Sequence, residues 1–163
     1  MTDEERSIQR DRMRFIKNKT SANLAIIAIV FDVFYFVSIY KSDVGSFYYQ
    51  LLIGASIVYN LLFMLAAFLC EEGVKNYMPQ YNPVLMLLAT GQVLRIFILP
   101  MKAHKATALI NGVETQVMGN GQYFRVCAYL LISFACLAAS AIINMKKCRE
   151  LQEHLKSMEA GKA

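Results

Sequence analysis

Four polar side chains interrupt otherwise apolar stretches of this sequence: Asp32, Asn60, Gln92 and Arg95. Asp32 stands in the middle of AIVFDVFYFV, residues 28–37, and Gln92 precedes Arg95 by about one helical turn. A charge at the centre of a bilayer costs roughly 2.5–3.5 kcal/mol on insertion scales, so each charge favours a partner. The sequence therefore predicts an intramembrane polar network in which Asp32 faces the protein interior and pairs with Arg95.

Three interpretations of this pair follow from the residue types alone. The pair is a latch that fixes the register of two helices, or a relay for an ion or a substrate. In the third interpretation the two residues do not meet, and Arg95 extends towards the membrane surface. A neighbouring guanidinium holds a carboxylate in its charged form, which argues against Asp32 as a proton carrier.

Four apolar segments must position these side chains. Hydrophobic residues make up 56% of the 163 residues, against about 45–50% in an ordinary soluble domain. They concentrate in residues 22–40, 51–70, 84–99 and 123–145. Each segment approaches the roughly 20 residues that a helix needs to cross the hydrocarbon core. The sequence thus predicts four transmembrane helices.

Basic residues set the expected orientation, because lysine and arginine next to a span mark the cytoplasmic side. They cluster in the two tails: Arg6, Arg10, Arg12, Arg14, Lys17 and Lys19, then Lys146, Lys147, Arg149, Lys156 and Lys162. We therefore expect both termini in the cytoplasm, an even number of spans and a location in the plasma (cytoplasmic) membrane. The predicted fold is an all-α, antiparallel up-down bundle of four transmembrane helices.

Small and polar residues recur along one side of each segment, as expected of faces that pack against other helices. These residues are Ala25, Ala28 and Asp32; Ser56, Asn60 and Ala67; Gly91 or Gln92 with Arg95; and Ser133, Cys136, Ser140 and Asn144. The remaining faces are Ile, Leu, Val and Phe, which suit contact with lipid. This division places Asp32, Asn60, Gln92 and Arg95 inside the bundle.

The segments outside the membrane offer candidate docking surfaces. Residues 1–20 form a basic cytoplasmic arm before the bundle of residues 21–145. The outer loop, residues 101–122, contains Asn111-Gly112 between strand-prone residues, a pattern that predicts a β-hairpin resting on the bundle or pairing with a partner. In the cytoplasmic tail, residues 146–163, an apolar stripe either extends the last helix or docks on a partner: Leu151, Leu155 and Met158.

Sequence motifs for catalysis or metal binding are missing. The four cysteines form no CxxC pair, and the two histidines, His104 and His154, have no nearby set of metal ligands. No Gly-rich phosphate loop, HExxH or GxSxG motif is present. We therefore expect neither an enzyme nor a metal or cofactor. The formal charge is +5, and the basic residues are concentrated in the tails beside the spans. We therefore expect these residues to contact lipid and not nucleic acid.

These features predict an accessory or structural subunit of a larger membrane assembly, such as a transporter complex. Its partners would be the lipid bilayer and other membrane proteins or further copies of itself. The alternative is a small homo-oligomeric transporter or channel with Asp32 and Arg95 in its path.

Overall fold

The computed structural model describes residue 8 and residues 14–39, 47–110 and 113–160. Among these residues are the helices that we call α1 (Lys19–Ile39), α2 (Phe47–Lys75), α3 (Tyr81–Ile98), α4 (Pro100–Lys105) and α5 (Asn120–Ala160). Two short strands, β1 (Thr107–Ile110) and β2 (Val113–Gln116), lie between α4 and α5.

Within the described residues, four helical segments are long and apolar enough to cross a membrane: Lys19–Ile39, Ile53–Lys75, Tyr81–Lys105 and Asn120–Ala160. Each contains most of one predicted span, so the structure agrees with a membrane protein built from a helical bundle. Helix α4 follows α3 almost directly, and Pro100 occupies its first turn, where a missing N–H costs little. Helix α5 continues unbroken through Lys146-Lys147 to Ala160, because no Gly or Pro interrupts residues 122–160.

The four long helices surround a common core in the order α1, α5, α3, α2. Helix α5 packs extensively against both α1 and α3, whereas α2 and α3 make the least extensive contact of the four neighbouring pairs. Alanines at the contacts between helices, including Ala28, Ala67 and Ala141, are fully buried. Residues of this size allow helices to approach closely.

Two apolar clusters fill the core at different levels of the bundle. One includes Phe63, Leu85 and Leu137, and the other surrounds Tyr35 and Leu130. The buried polar side chains described below lie between and beyond these clusters. Apolar packing at two levels of the bundle thus encloses the polar groups.

Strands β1 and β2 pair antiparallel, with Thr107 opposite Gln116 and Ile110 opposite Val113. The two residues expected at the turn, Asn111 and Gly112, lie outside the described residues. Beyond β2, Met118 is fully buried, and its carbonyl lies 3.1 Å from His104 Nδ1. These contacts hold the chain that follows the strands against the end of the bundle.

Candidate functional site

The charged pair predicted from the sequence lies at the centre of a buried network. Arg95 Nη1, from α3, donates to Asp32 Oδ1, from α1, across 2.8 Å. Asp32 is fully buried and Arg95 is 4% exposed. At this distance the contact is a charge-assisted hydrogen bond, which is stronger than a bond between neutral groups. The structure therefore shows two opposite charges that compensate each other inside the bundle.

Uncharged side chains hold both members of the pair. Gln92 Nε2 donates to Asp32 Oδ1 at 3.1 Å and lies 3.2 Å from Ser133 Oγ of α5. Ser133 Oγ in turn donates to the Ala28 carbonyl at 3.1 Å, which links α5 to α1. All four long helices take part, because Arg95 Nη2 donates to the side-chain oxygen of Asn60 on α2.

Two tyrosine rings flank the arginine. The Arg95 guanidinium carbon lies 4.1 Å from the centre of the Tyr35 ring and 4.9 Å from that of Tyr59. Cations are attracted to aromatic faces, more strongly where water is excluded. The site therefore stabilises the guanidinium by an ion pair, hydrogen bonds and two aromatic faces together.

Three buried polar atoms of the network have no hydrogen-bonding partner among the described residues. They are Asp32 Oδ2, Asn60 Nδ2 and Arg95 Nε. An unmade hydrogen bond of a buried group costs about 1–3 kcal/mol, and more for a charged group. The network thus keeps two donors and one acceptor that a further polar molecule could satisfy.

The structure brings together Asp32, Asn60, Gln92 and Arg95, the four residues named from the sequence. We call these four residues the central network. Tyr35 and Tyr59 belong to the same site, but the sequence reasoning missed them because aromatic residues in a span are usually assigned to lipid or to the membrane interface. Their spacing held the signal: Tyr35 follows Asp32 by three residues, and Tyr59 directly precedes Asn60.

The residues predicted as an apolar stripe in the tail lie towards the end of α5, well beyond its part of this network. On α5, Leu151 is half-buried, whereas Leu155 and Met158 are 47% and 49% exposed. Asn111 and Gly112 lie outside the described residues. No group of three or more His, Cys, Asp or Glu side chains in the described part of the chain is arranged to hold a metal ion.

A second buried polar cluster, which we call the basal cluster, joins the beginning of α1 to α5 and to the beginning of α3. Asn144 accepts from Asn18 Nδ2 at 3.0 Å and donates to Asn82 Oδ1 at 2.7 Å. Ser21 and Ser140 exchange hydrogen bonds with each other's carbonyls at 2.6 and 2.8 Å. Sequence reasoning placed Ser140 and Asn144 on an interior face but missed their partners, which lie near helix ends.

A cavity of about 360 Å³ opens between α2 and α3, where the helices make the least contact. Its walls are almost entirely apolar. Arg95 of the central network and Tyr59, whose ring faces Arg95, contribute to its lining. Leu94 and Ile98 also line it and are more than half exposed, so the cavity opens on the outer surface of the bundle.

Comparison of the chain with protein-family models, with curated proteins and with solved structures finds no match. The function is therefore inferred from the geometry of the central network, the basal cluster and the cavity.

Proposed function

We propose that this chain is an accessory or structural subunit of a larger membrane assembly, such as a transporter complex. The observation that carries the proposal is the enclosure of the Asp32–Arg95 pair. Both charges are buried, and side chains from all four long helices contact the pair or its immediate partners. A charge pair held in this way suits a latch that fixes helix register, because separating it would expose each charge to hydrocarbon.

The proposed orientation places both termini in the cytoplasm and the strands β1 and β2 outside the plasma membrane. Basic residues beside the first and last spans support this direction. In this orientation the end of α5 projects into the cytoplasm, where Leu155 and Met158 offer exposed apolar side chains to a partner.

Affinity purification with matched variants tests the proposal. The tagged chain is extracted from its native membrane in mild detergent, and the stoichiometry of co-purifying membrane proteins is measured. We expect one defined partner in constant ratio, retained when the off-stripe residues Gln152 and Lys156 are replaced by Ser. We expect the partner to be lost when Leu155 and Met158 are replaced by Ser. Recovery of this chain alone, as a dimer or larger oligomer, would contradict the subunit role.

The second candidate function is a homo-oligomeric transporter or channel that uses Asp32 and Arg95. Asp32 Oδ2 and Arg95 Nε have no hydrogen-bonding partner among the described residues, which favours this function because a transported molecule could bind to them. The two functions differ in their response to substitution. A transporter loses flux in every Asp32 or Arg95 variant, including variants that keep full stability, whereas a latch loses stability first.

A further inference from the structure

The cavity between α2 and α3 combines an apolar wall with a polar inner end. Ala55, Ser56 and Tyr59 of α2 and Gly91, Leu94 and Arg95 of α3 surround it. A volume of about 360 Å³ falls within the usual range of small-molecule sites, roughly 300–1,000 Å³. Apolar cavities exclude water, so an opening that faces hydrocarbon is suited to a membrane-soluble molecule.

The inner end of the cavity calls for a hydrogen-bond acceptor. Arg95 lines the cavity and is more than nine-tenths buried, yet its Nε has no partner among the described residues. A carbonyl oxygen of a ligand in the cavity would accept a hydrogen bond from this donor.

The charge balance at this end favours a neutral ligand over an anion. Asp32 already compensates the Arg95 charge at 2.8 Å, so an anion would bring an uncompensated negative charge into a low-dielectric site. The Tyr59 ring, which lines the cavity and faces the guanidinium, offers an aromatic surface to a flat ligand.

We propose that this cavity binds a neutral, membrane-soluble carbonyl compound of the quinone type. Its ring would lie beside Tyr59, with one carbonyl oxygen accepting from Arg95 Nε, and its chain would extend past Leu94 into the bilayer. This inference does not depend on the proposed subunit role.

Binding of two matched probes to the purified full-length chain in detergent tests the inference. One probe is a fully substituted benzoquinone with a decyl chain, and the other is decylbenzene, which lacks the carbonyl groups. We expect the quinone to raise the melting temperature by about 5 °C or more at a hundredfold excess over its Kd. We expect decylbenzene to bind at least about tenfold more weakly.

Two glycine substitutions locate the site. Gly91 lines the cavity, and a Cβ there would lie 2.7 Å from Tyr59 Oη, so Gly91→Leu fills the cavity. A Cβ added to Gly54 on α2 would meet no heavy atom within 4 Å, which makes Gly54→Leu a matched control. We expect Gly91→Leu to abolish quinone binding and Gly54→Leu to retain it. Ala55→Leu, which also fills the cavity, replaces Gly91→Leu if that variant does not fold.

Three results would overturn the inference. Equal binding of the two probes would show an apolar cavity without carbonyl recognition. Retained quinone binding in a folded cavity-filling variant would place the ligand elsewhere. Complete displacement of the quinone by stoichiometric phosphatidylcholine would show that an ordinary acyl chain is the occupant.

Discussion

Arg95 Nη1 lies 2.8 Å from Asp32 Oδ1, and this contact joins α3 to α1 inside the apolar core. The two residues are separated by 63 positions in the sequence, so the contact depends on the register of two helices that are not consecutive. Helix α1 makes its extensive contacts with α5 and α2, and α3 makes its own with α5. The pair is therefore a direct polar link across the bundle.

Substitution of the pair tests the latch. Breaking a buried ion pair by removing one partner costs about 3–5 kcal/mol in soluble proteins, because the other charge is left uncompensated. We expect Asp32→Asn or Arg95→Leu alone to lower the melting temperature in detergent and to reduce the folded yield. The double variant Asp32→Asn with Arg95→Gln removes both charges and keeps hydrogen-bonding groups, so it should recover much of the loss.

The double variant also separates the latch from a transport role. A double variant no more stable than the worse single variant would show that the two charges do not compensate each other. Unchanged melting temperatures in all variants, together with loss of transport activity, would support the relay instead.

The sequence predicted the membrane segments and the identity of the four central polar residues for a simple physical reason. An apolar run of about 20 residues has few alternatives to a membrane span, and a charge within it has few alternatives to the interior. The same reasoning could not supply Tyr35 and Tyr59, because aromatic side chains are compatible with lipid, interface and core. It also could not supply the Asn18–Asn144 contact, because two residues 126 positions apart meet only through the folded arrangement of α1 and α5.

The basal cluster gives a prediction for Asn144, which is fully buried and hydrogen-bonded to Asn18 and Asn82. The change Asn144→Leu leaves a buried donor and a buried acceptor without partners. We expect it to reduce the free energy of unfolding by about 1–3 kcal/mol, measured by thermal or denaturant unfolding in detergent. Gln152→Leu on the exposed face of the same helix is the control and should change stability little. Equal effects of the two changes would contradict a structural role for the cluster.

Gly73 on α2 gives a steric prediction. A Cβ at this position would overlap the ring of Tyr81, whereas a Cβ at Gly54 would meet no heavy atom within 4 Å. Overpacking of a tight contact typically costs about 1–3 kcal/mol, and the gain in helix propensity offsets up to about 1 kcal/mol of it. We expect Gly73→Ala to lower the melting temperature and Gly54→Ala to leave it unchanged or raise it. A Gly73→Ala protein as stable as the Gly54→Ala protein would show that α2 and α3 separate freely here.

Tyr77, in the connection between α2 and α3, gives a prediction for the dependence of stability on pH. Burial raises the pKa of its phenol above the ordinary value, and Cys148 and Glu150 add to the effect, while Arg14 opposes it. The unfolded chain loses this proton near pH 10, before the folded chain does. The contribution to stability is therefore complete below about pH 10 and is lost as the pH rises through the higher pKa of the folded state.

The Tyr77→Phe variant isolates this contribution from those of the other tyrosines. We expect melting temperature in detergent to fall less steeply above pH 10 in the variant than in the unmodified chain. Below that pH the variant should be slightly less stable, because the Tyr77 hydroxyl donates to the Arg14 carbonyl at 3.1 Å. Parallel pH profiles would mean that the phenol titrates equally in both states.

Orientation in the membrane is tested by labelling engineered cysteines with a membrane-impermeant thiol reagent. The native Cys70 and Cys148 are poor reporters, because they are 1% and 6% exposed and Cys148 Sγ donates to the Tyr77 carbonyl.

Two exposed positions are better reporters. Glu114 in β2 lies shortly before the beginning of α5, and Gln152 lies near the end of α5. We expect Glu114→Cys to react in intact cells and Gln152→Cys to react only after the membrane is permeabilised, since the basic tails favour the cytoplasm. A chain with all four native cysteines replaced by Ser provides the background, and its lack of labelling is the control. Reaction of Gln152→Cys in intact cells would reverse the proposed orientation and place the exposed residues Leu155 and Met158 outside the cell.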